Sequence, residues 1–168
     1  MTTMCLRHAA FAICAILAMS VAAPAGHAQT QAKPKVTAAP AKGLPAHAHK
    51  VAIQVSTNDK AAMDLALNNA RNVVDYYKEK GEPVEIEIVT YGPGLHMLRS
   101  DTSPVKERIS PMALEFPNIK VMACENTRQN QSKAEKKEIT LISEATSTPS
   151  GVVRLMELQS QGYSYIRP

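Results

Sequence analysis

The sequence predicts an α/β fold, a mostly parallel sheet wound by helices on both faces. Three observations predict it. From residue 49 onward, short β-branched and aliphatic runs alternate with longer stretches of helical apolar spacing, the pattern of strand–helix–strand crossovers. Glycine or proline punctuates most changes of period. The 168 residues are 45% hydrophobic and 20% charged, enough apolar material for one real core and unlike a fibrous, disordered or polytopic membrane chain.

Val51-Ala52-Ile53-Gln54-Val55 reads as the first strand. Asn58 or Asp59 then caps a helix whose apolar positions Met63, Ala66, Leu67, Ala70, Val73, Val74 and Tyr77 keep helical spacing, and Gly81 closes it. Asn68, Asn69 and Asn72 are poor helix formers in mid-helix and hint at polar contacts on that face. After Pro83, Val84, Ile86 and Ile88 alternate with Glu85 and Glu87, which predicts a strand with one wet face at the sheet edge. Gly92-Pro93-Gly94 breaks it. A short helix from Leu95 to Leu98 and another from Val105 to Glu115, limited by Pro111, follow. Asn118 to Ala123 is the third strand, with Cys124 at its carboxyl end. Glu125 to Glu138 reads as helical in its later part, Ile139 to Ile142 as a weak fourth strand, and Thr148-Pro149-Ser150-Gly151 as a helix start with proline in the first turn. Gly162 ends that helix, and Tyr163 to Ile166 form a last edge strand whose aromatics need cover.

Ahead of the domain at 49–168, residues 1–28 read as a secretory signal and 29–48 as an Ala/Pro/Lys-rich tether. The signal carries one charge, Arg7, before an apolar run from Ala9 to Ala23 that is shorter than the ~20 residues of a membrane span. Export to the periplasm without stable membrane insertion follows as the expectation. Cys5 and Cys14 leave with the signal, so the mature chain keeps Cys124 alone and has no internal disulfide to form. The formal charge of +4 divides unevenly. Of 19 basic side chains, Arg7 belongs to the signal and Lys33, Lys35, Lys42 and Lys50 to the tether and its edge, leaving 14 against 15 acidic ones. A near-neutral domain gives no footing for nucleic acid.

In an open parallel sheet, ligands bind beyond the carboxyl ends of the strands. Three segments reach that edge: Ser56-Thr57-Asn58, Gly92-Pro93-Gly94, and Cys124-Glu125-Asn126-Thr127. Cys124, where a strand turns toward a helix, can have backbone N–H groups aimed at its sulfur and its pKa lowered, with Asn126 or Thr127 assisting. Equally, a lone cysteine is a small hydrophobe filling a strand end. His96 is the one histidine beyond Val51 and a base candidate for the thiol, although a surface position explains it as well. Gly92 and Gly94 form a turn or an anion-binding nest, without the spacing of a dinucleotide or phosphate loop. No Gly-x-Ser-x-Gly, His-Glu-x-x-His or Cys-x-x-Cys occurs, and neither a metal site nor a cofactor is expected.

His49-Lys50-Val51-Ala52-Ile53-Gln54-Val55, Leu67-Asn68-Asn69-Ala70-Arg71-Asn72, Tyr91-Gly92-Pro93-Gly94, Ala123-Cys124-Glu125-Asn126-Thr127, Pro149-Ser150-Gly151-Val152-Val153 and the closing Leu158 to Pro168 come in the order of the DsrE/DsrF-like family, which 49–168 resembles over its length. The resemblance implies a three-layer α/β/α fold with about five mostly parallel strands, assembly as a trimer or hexamer, and sulfur relay. In that family a cysteine after the third strand, matched here by Cys124, takes up sulfane sulfur as a persulfide and passes it to a partner protein, with no cofactor. Two functions are therefore expected: a periplasmic sulfur carrier acting through Cys124, or a non-catalytic oligomeric module. The latter binds a small ligand or protein at the strand-end crevice lined by Asn58, Gly92, Gly94, His96, Asn126 and Thr127.

Overall fold

A computed structural model describes residues 48–168. The expected signal and most of the tether, with Cys5 and Cys14, lie outside the described residues. The elements run β1 (His49–Val55), α1 (Lys60–Glu79), β2 (Val84–Thr90), a 3-10 helix (Gly92–Leu98), α2 (Lys106–Glu115), β3 (Ile119–Cys124), α3 (Glu125–Glu135), β4 (Ala145–Thr148), α4 (Gly151–Ser160) and β5 (Ser164–Ile166). All four pairings are parallel, in the order β4-β3-β2-β1-β5.

The pleat sends alternate residues to opposite faces, and each face builds its own core. Val51, Ile53 and Val55, Val84, Ile86 and Ile88, and Val121 and Ala123 meet the buried stripe of α1, which runs through Met63, Ala66, Leu67, Ala70 and Val74. Asp59 accepts a hydrogen bond from the Ala61 N–H at 3.0 Å, and this cap starts α1 where the sequence places it. Leu95, Met97, Leu98, Ile109 and Phe116 extend this larger core under the 3-10 helix and α2. On the other face Ala52, Val89 and Met122 pack under Leu155 and Leu158 of α4. The result is the three-layer α/β/α arrangement that the strand–helix alternation implies.

Several elements differ from the sequence reading, each for a physical reason. β2 is internal, not an edge strand. Glu85 is exposed and takes the Tyr163 hydroxyl at 3.0 Å, while Glu87 is buried and gripped by Arg154 of α4 at 2.9 and 2.5 Å, so the charge alternation marks an ion pair under a helix. Residues 139–142 form no strand beyond a single antiparallel bridge from Leu141 to Arg99. Ile139 is a buried plug below α3, and the fourth strand is the more polar Ala145–Thr148. α3 begins directly at Glu125. α2 runs through Pro111 to Glu115, with Ile109 and Phe116 buried on either side of the missing N–H. Pro149 precedes the α4 cap, which Ser150 makes to the Val153 N–H. Asn68 accepts from Arg108 of α2 at 2.7 Å, whereas Asn72 is exposed. The terminal β5 is an edge strand, and its Tyr165 hydroxyl donates to Gln54 at 2.6 Å.

Candidate functional site

The turns after β1, β2 and β3 lie at one end of the sheet, as parallel pairing requires, and a fourth joins them. β3 pairs with β4 so that Cys124 stands opposite Thr148, which brings the start of α4 beside the end of β3. Cys124 is the last residue of β3 and the N-cap residue of α3, so two helix N-termini meet at its sulfur. The side chain closes no regular capping bond with α3. Burial pushes the thiol pKa up, but this is outweighed by the Thr127 hydroxyl and by the N–H groups of Gly151, Thr127 and Asn126, and the net direction is down. The residue is only 4% exposed, so the site holds an enclosed thiol, as the strand-end packing alternative expects.

The neighbouring acid does little to oppose this. Glu125 is held by Arg128 at 2.8 and 2.9 Å and by Gln129 at 3.2 Å, and the Arg128 guanidinium keeps its carboxyl below the usual range. A carboxylate already paired repels a neighbouring thiolate less than a free one.

Close packing sets the geometry. A Cβ on Gly151 would sit 2.9 Å from Tyr91 Cβ and 3.0 Å from its ring, so only glycine lets α4 approach the β2 end this closely. A Cβ on Gly94 would lie 2.2 Å from the Val55 carbonyl oxygen. Gly92 has a φ of 54°, a left-handed conformation that glycine adopts without strain. Its N–H donates to Thr127 Oγ1 at 3.0 Å and its carbonyl accepts from Gln131 at 3.1 Å.

Beside this turn lies an open groove of about 460 Å³. Asn58, Gly92, His96 and Thr127 line it, so four of the residues expected to bind are brought together. Two are not among its lining residues. Gly94 is buried against β1, and Asn126 is exposed on α3 with its N–H serving Pro149 and Cys124. His96 and Cys124 do not form a thiol–base pair, because the imidazole Nδ1 is bonded to the Thr102 hydroxyl at 2.7 Å and no bond joins the ring to the sulfur.

Three features escaped the sequence reading. Asn130 and Gln131 add carboxamides to the groove wall, one helical turn beyond Thr127. Arg99, 1% exposed, ties the 3-10 helix to α3 through Asp101 at 2.8 and 2.9 Å, Glu135 at 2.9 Å and Gln131 at 3.2 Å. The Gly151 N–H at the sulfur was hidden because the fourth strand was placed at 139–142, out of register with Cys124. The signal that could have found it is Ser150, a strong cap residue just after a short Thr/Ser strand.

Fold and site together define an α/β protein in which Cys124, the one cysteine among the described residues, is set between helix N-termini at the carboxyl edge of a parallel sheet. No protein-family model and no curated protein matches the chain. Among solved structures, a protein of unknown function from Methanobacterium thermoautotrophicum is similar, with 27% identity and a TM-score of 0.60 over 71% of this chain and 99% of that one. That likeness supports the fold. No helix among the described residues is long and apolar enough to cross a membrane.

Proposed function

We propose that the protein is a periplasmic sulfane-sulfur carrier of DsrE/DsrF-like type, loading sulfur on Cys124. One observation carries the proposal: Cys124 ends β3 at the N-terminus of α3, the β3–β4 register brings the N-terminus of α4 beside it, and these helix ends favour its anion despite burial. A persulfide is a stronger acid than a thiol and gains from the same donors. The chemistry balances without a cofactor. The Cys124 thiolate attacks the terminal sulfur of a polysulfide, the donor's S–S bond breaks, and the shortened polysulfide leaves with the electron pair. An acceptor thiolate then attacks the outer sulfur and releases Cys124 as thiolate. Four per cent exposure selects a slender donor such as hydropolysulfide for the first step.

Assembly into a trimer or hexamer belongs to the same proposal. Val152, Val153 and Met156 of α4 are each at least half exposed, on the face of the sheet that has the thinner cover. The oligomer buries them.

The groove favours a second reading, a binding module in which Cys124 is packing alone. Its volume and its mixture of carboxamides with apolar stems are those of a small-molecule site. The two readings part on one experiment. After incubation of the chain from residue 29 to 168 with polysulfide, intact mass spectrometry of the wild type shows an added sulfur atom that dithiothreitol removes, and Cys124→Ser shows none. A wild type that stays unloaded, with Cys124 unreactive to thiol reagents until denaturation, leaves the binding module.

A further inference from the structure

Helices α1, α2 and α4 seat themselves with buried side chains, whereas α3 buries none, although it crosses between the adjacent strands β3 and β4. Thr127, Asn130, Gln131 and Ala134 follow at helical spacing and share one face of α3, and that face is a wall of the groove. Polar bonds hold it there. Thr127 accepts from the Gly92 N–H at 3.0 Å, Gln131 donates to the Gly92 carbonyl at 3.1 Å, and Glu135 accepts from the buried Arg99 guanidinium at 2.9 Å.

The same bonds decide which groove groups are left for a ligand. Gln131 spends both ends of its carboxamide, since its oxygen accepts from Arg99 at 3.2 Å. The Glu135 carboxylate is shared between Arg99 and Lys137, the latter at 3.4 Å. Among the described residues, the Asn58 and Asn130 carboxamides have no hydrogen-bond partner, and His96, fixed through Nδ1 to Thr102 at 2.7 Å, keeps Nε2 unpaired. The uncommitted groups are therefore all uncharged amides or an imidazole. An anion finds no uncommitted cation among the lining residues, and a cation meets only a carboxylate that is already paired twice, so a charged ligand loses its hydration without compensation.

We propose that the groove binds an uncharged small molecule with an amide-like edge, a carboxamide, lactam or nucleobase, recognised by Asn58, Asn130 and His96. A carboxamide sets a donor beside an acceptor in one plane and pairs with an edge of the same kind, as asparagine does with adenine. Pro93 and Ala134 supply apolar surface for the body of such a ring, and about 460 Å³ gives it room. The proposal rests on the binding reading of the groove and does not depend on sulfur loading at Cys124.

The test is an NMR titration of the chain from residue 29 to 168, read on backbone amides, with three probes of nearly one shape: nicotinamide, uncharged; nicotinate, the matching anion; and 1-methylnicotinamide, the matching cation. Nicotinamide should shift the Gly92, His96 and Asn130 amides saturably, with a dissociation constant of about a millimolar, as suits a probe this small. Both charged probes should bind about tenfold more weakly or not at all. Asn130 is exposed on α3, so Asn130→Ala should fold, and it should weaken nicotinamide by about tenfold. Asn130→Asp, which keeps the shape and loses the donor, should show the same loss. A charged probe that binds there as tightly as nicotinamide, or unchanged nicotinamide binding in both Asn130 variants, overturns the proposal and leaves the groove a site of another specificity. No groove shift with any of the three probes overturns the proposal and the binding-module reading together.

Discussion

Arg154→Leu tests how α4 is held over the sheet, and with it the placement of the Gly151 N–H at Cys124. Glu87 lies on an internal strand with its side chain 5% exposed, and its ion-pair partner is Arg154, whose side chain is 23% exposed and shared with Glu157. Removing one member of a buried pair strands the other charge at a cost of about 3 to 5 kcal/mol. The partial exposure of Arg154 lets water reach part of the site, so the lower end applies, about 3 kcal/mol. For a domain of this size that lowers the melting midpoint by roughly 10 °C. Urea titration followed by circular dichroism should show a reduced midpoint at unchanged slope. The double variant Glu87→Leu/Arg154→Leu removes both charges and fills the space with apolar atoms, so it should return to within about 1 kcal/mol of wild type. Equal losses in single and double variants would mean that packing by the arginine stem, not charge pairing, seats α4. A single variant that loses less than about 0.5 kcal/mol would refute the burial of Glu87 as a charged group.

Further outcomes follow from the same geometry. Arg99 holds the Asp101 carboxyl well below the usual range, with help from Lys137, and holds Glu135 down at about 2 from its ordinary 4.5. Folded values below unfolded ones contribute stability that is present above the unfolded pKa and is lost as pH falls through the folded one. The melting midpoint should therefore drop between about pH 4.5 and 2, and the drop should flatten in Arg99→Met, whose midpoint starts lower at neutral pH. A wild-type midpoint that stays level across this window contradicts the ion-pair cluster. Gly94→Ala forces a Cβ to 2.2 Å from a backbone oxygen and should cost at least about 3 kcal/mol or abolish folding. Gly81→Ala meets nothing within 4 Å at a φ of 68° and should cost only about 1 kcal/mol. Denaturation midpoints that rank the two glycines the other way contradict the packing of the 91–94 turn.

Much of this architecture is written in local pattern. The spacing from Met63 to Tyr77, the Asp59 cap and the glycines at 81 and 162 specify helices because one face must be buried and each end must satisfy its backbone. Elsewhere local pattern misleads, for tertiary reasons. Glu87 reads as solvent-facing because a strand cannot announce that an arginine 67 residues later will cover it. Ile139 to Ile142 is more apolar than Ala145 to Thr148, yet only the latter pairs with β3. An edge strand needs little hydrophobicity, and Ile139 is consumed as a plug. The cysteine edge was legible from strand order alone, as were four of the groove residues. The convergence of a second helix on Cys124 depends on the β3–β4 register, for which the Ser150 cap after a short polar strand is the one local signal. Arg99, exposed by every compositional expectation, is buried because three neighbours satisfy its fork.

The central claim is that Cys124 takes up sulfane sulfur and gives it up again. Polysulfide-treated protein comprising residues 29–168, which omits Cys5 and Cys14, should, once freed of excess donor, release thiocyanate when cyanide is added, in an amount equal to the Cys124 present, and return to its unloaded mass. Cys124→Ser should release none. Thiocyanate in equal amount from the variant, or a loaded wild type that cyanide leaves unchanged, would contradict a carrier at this site.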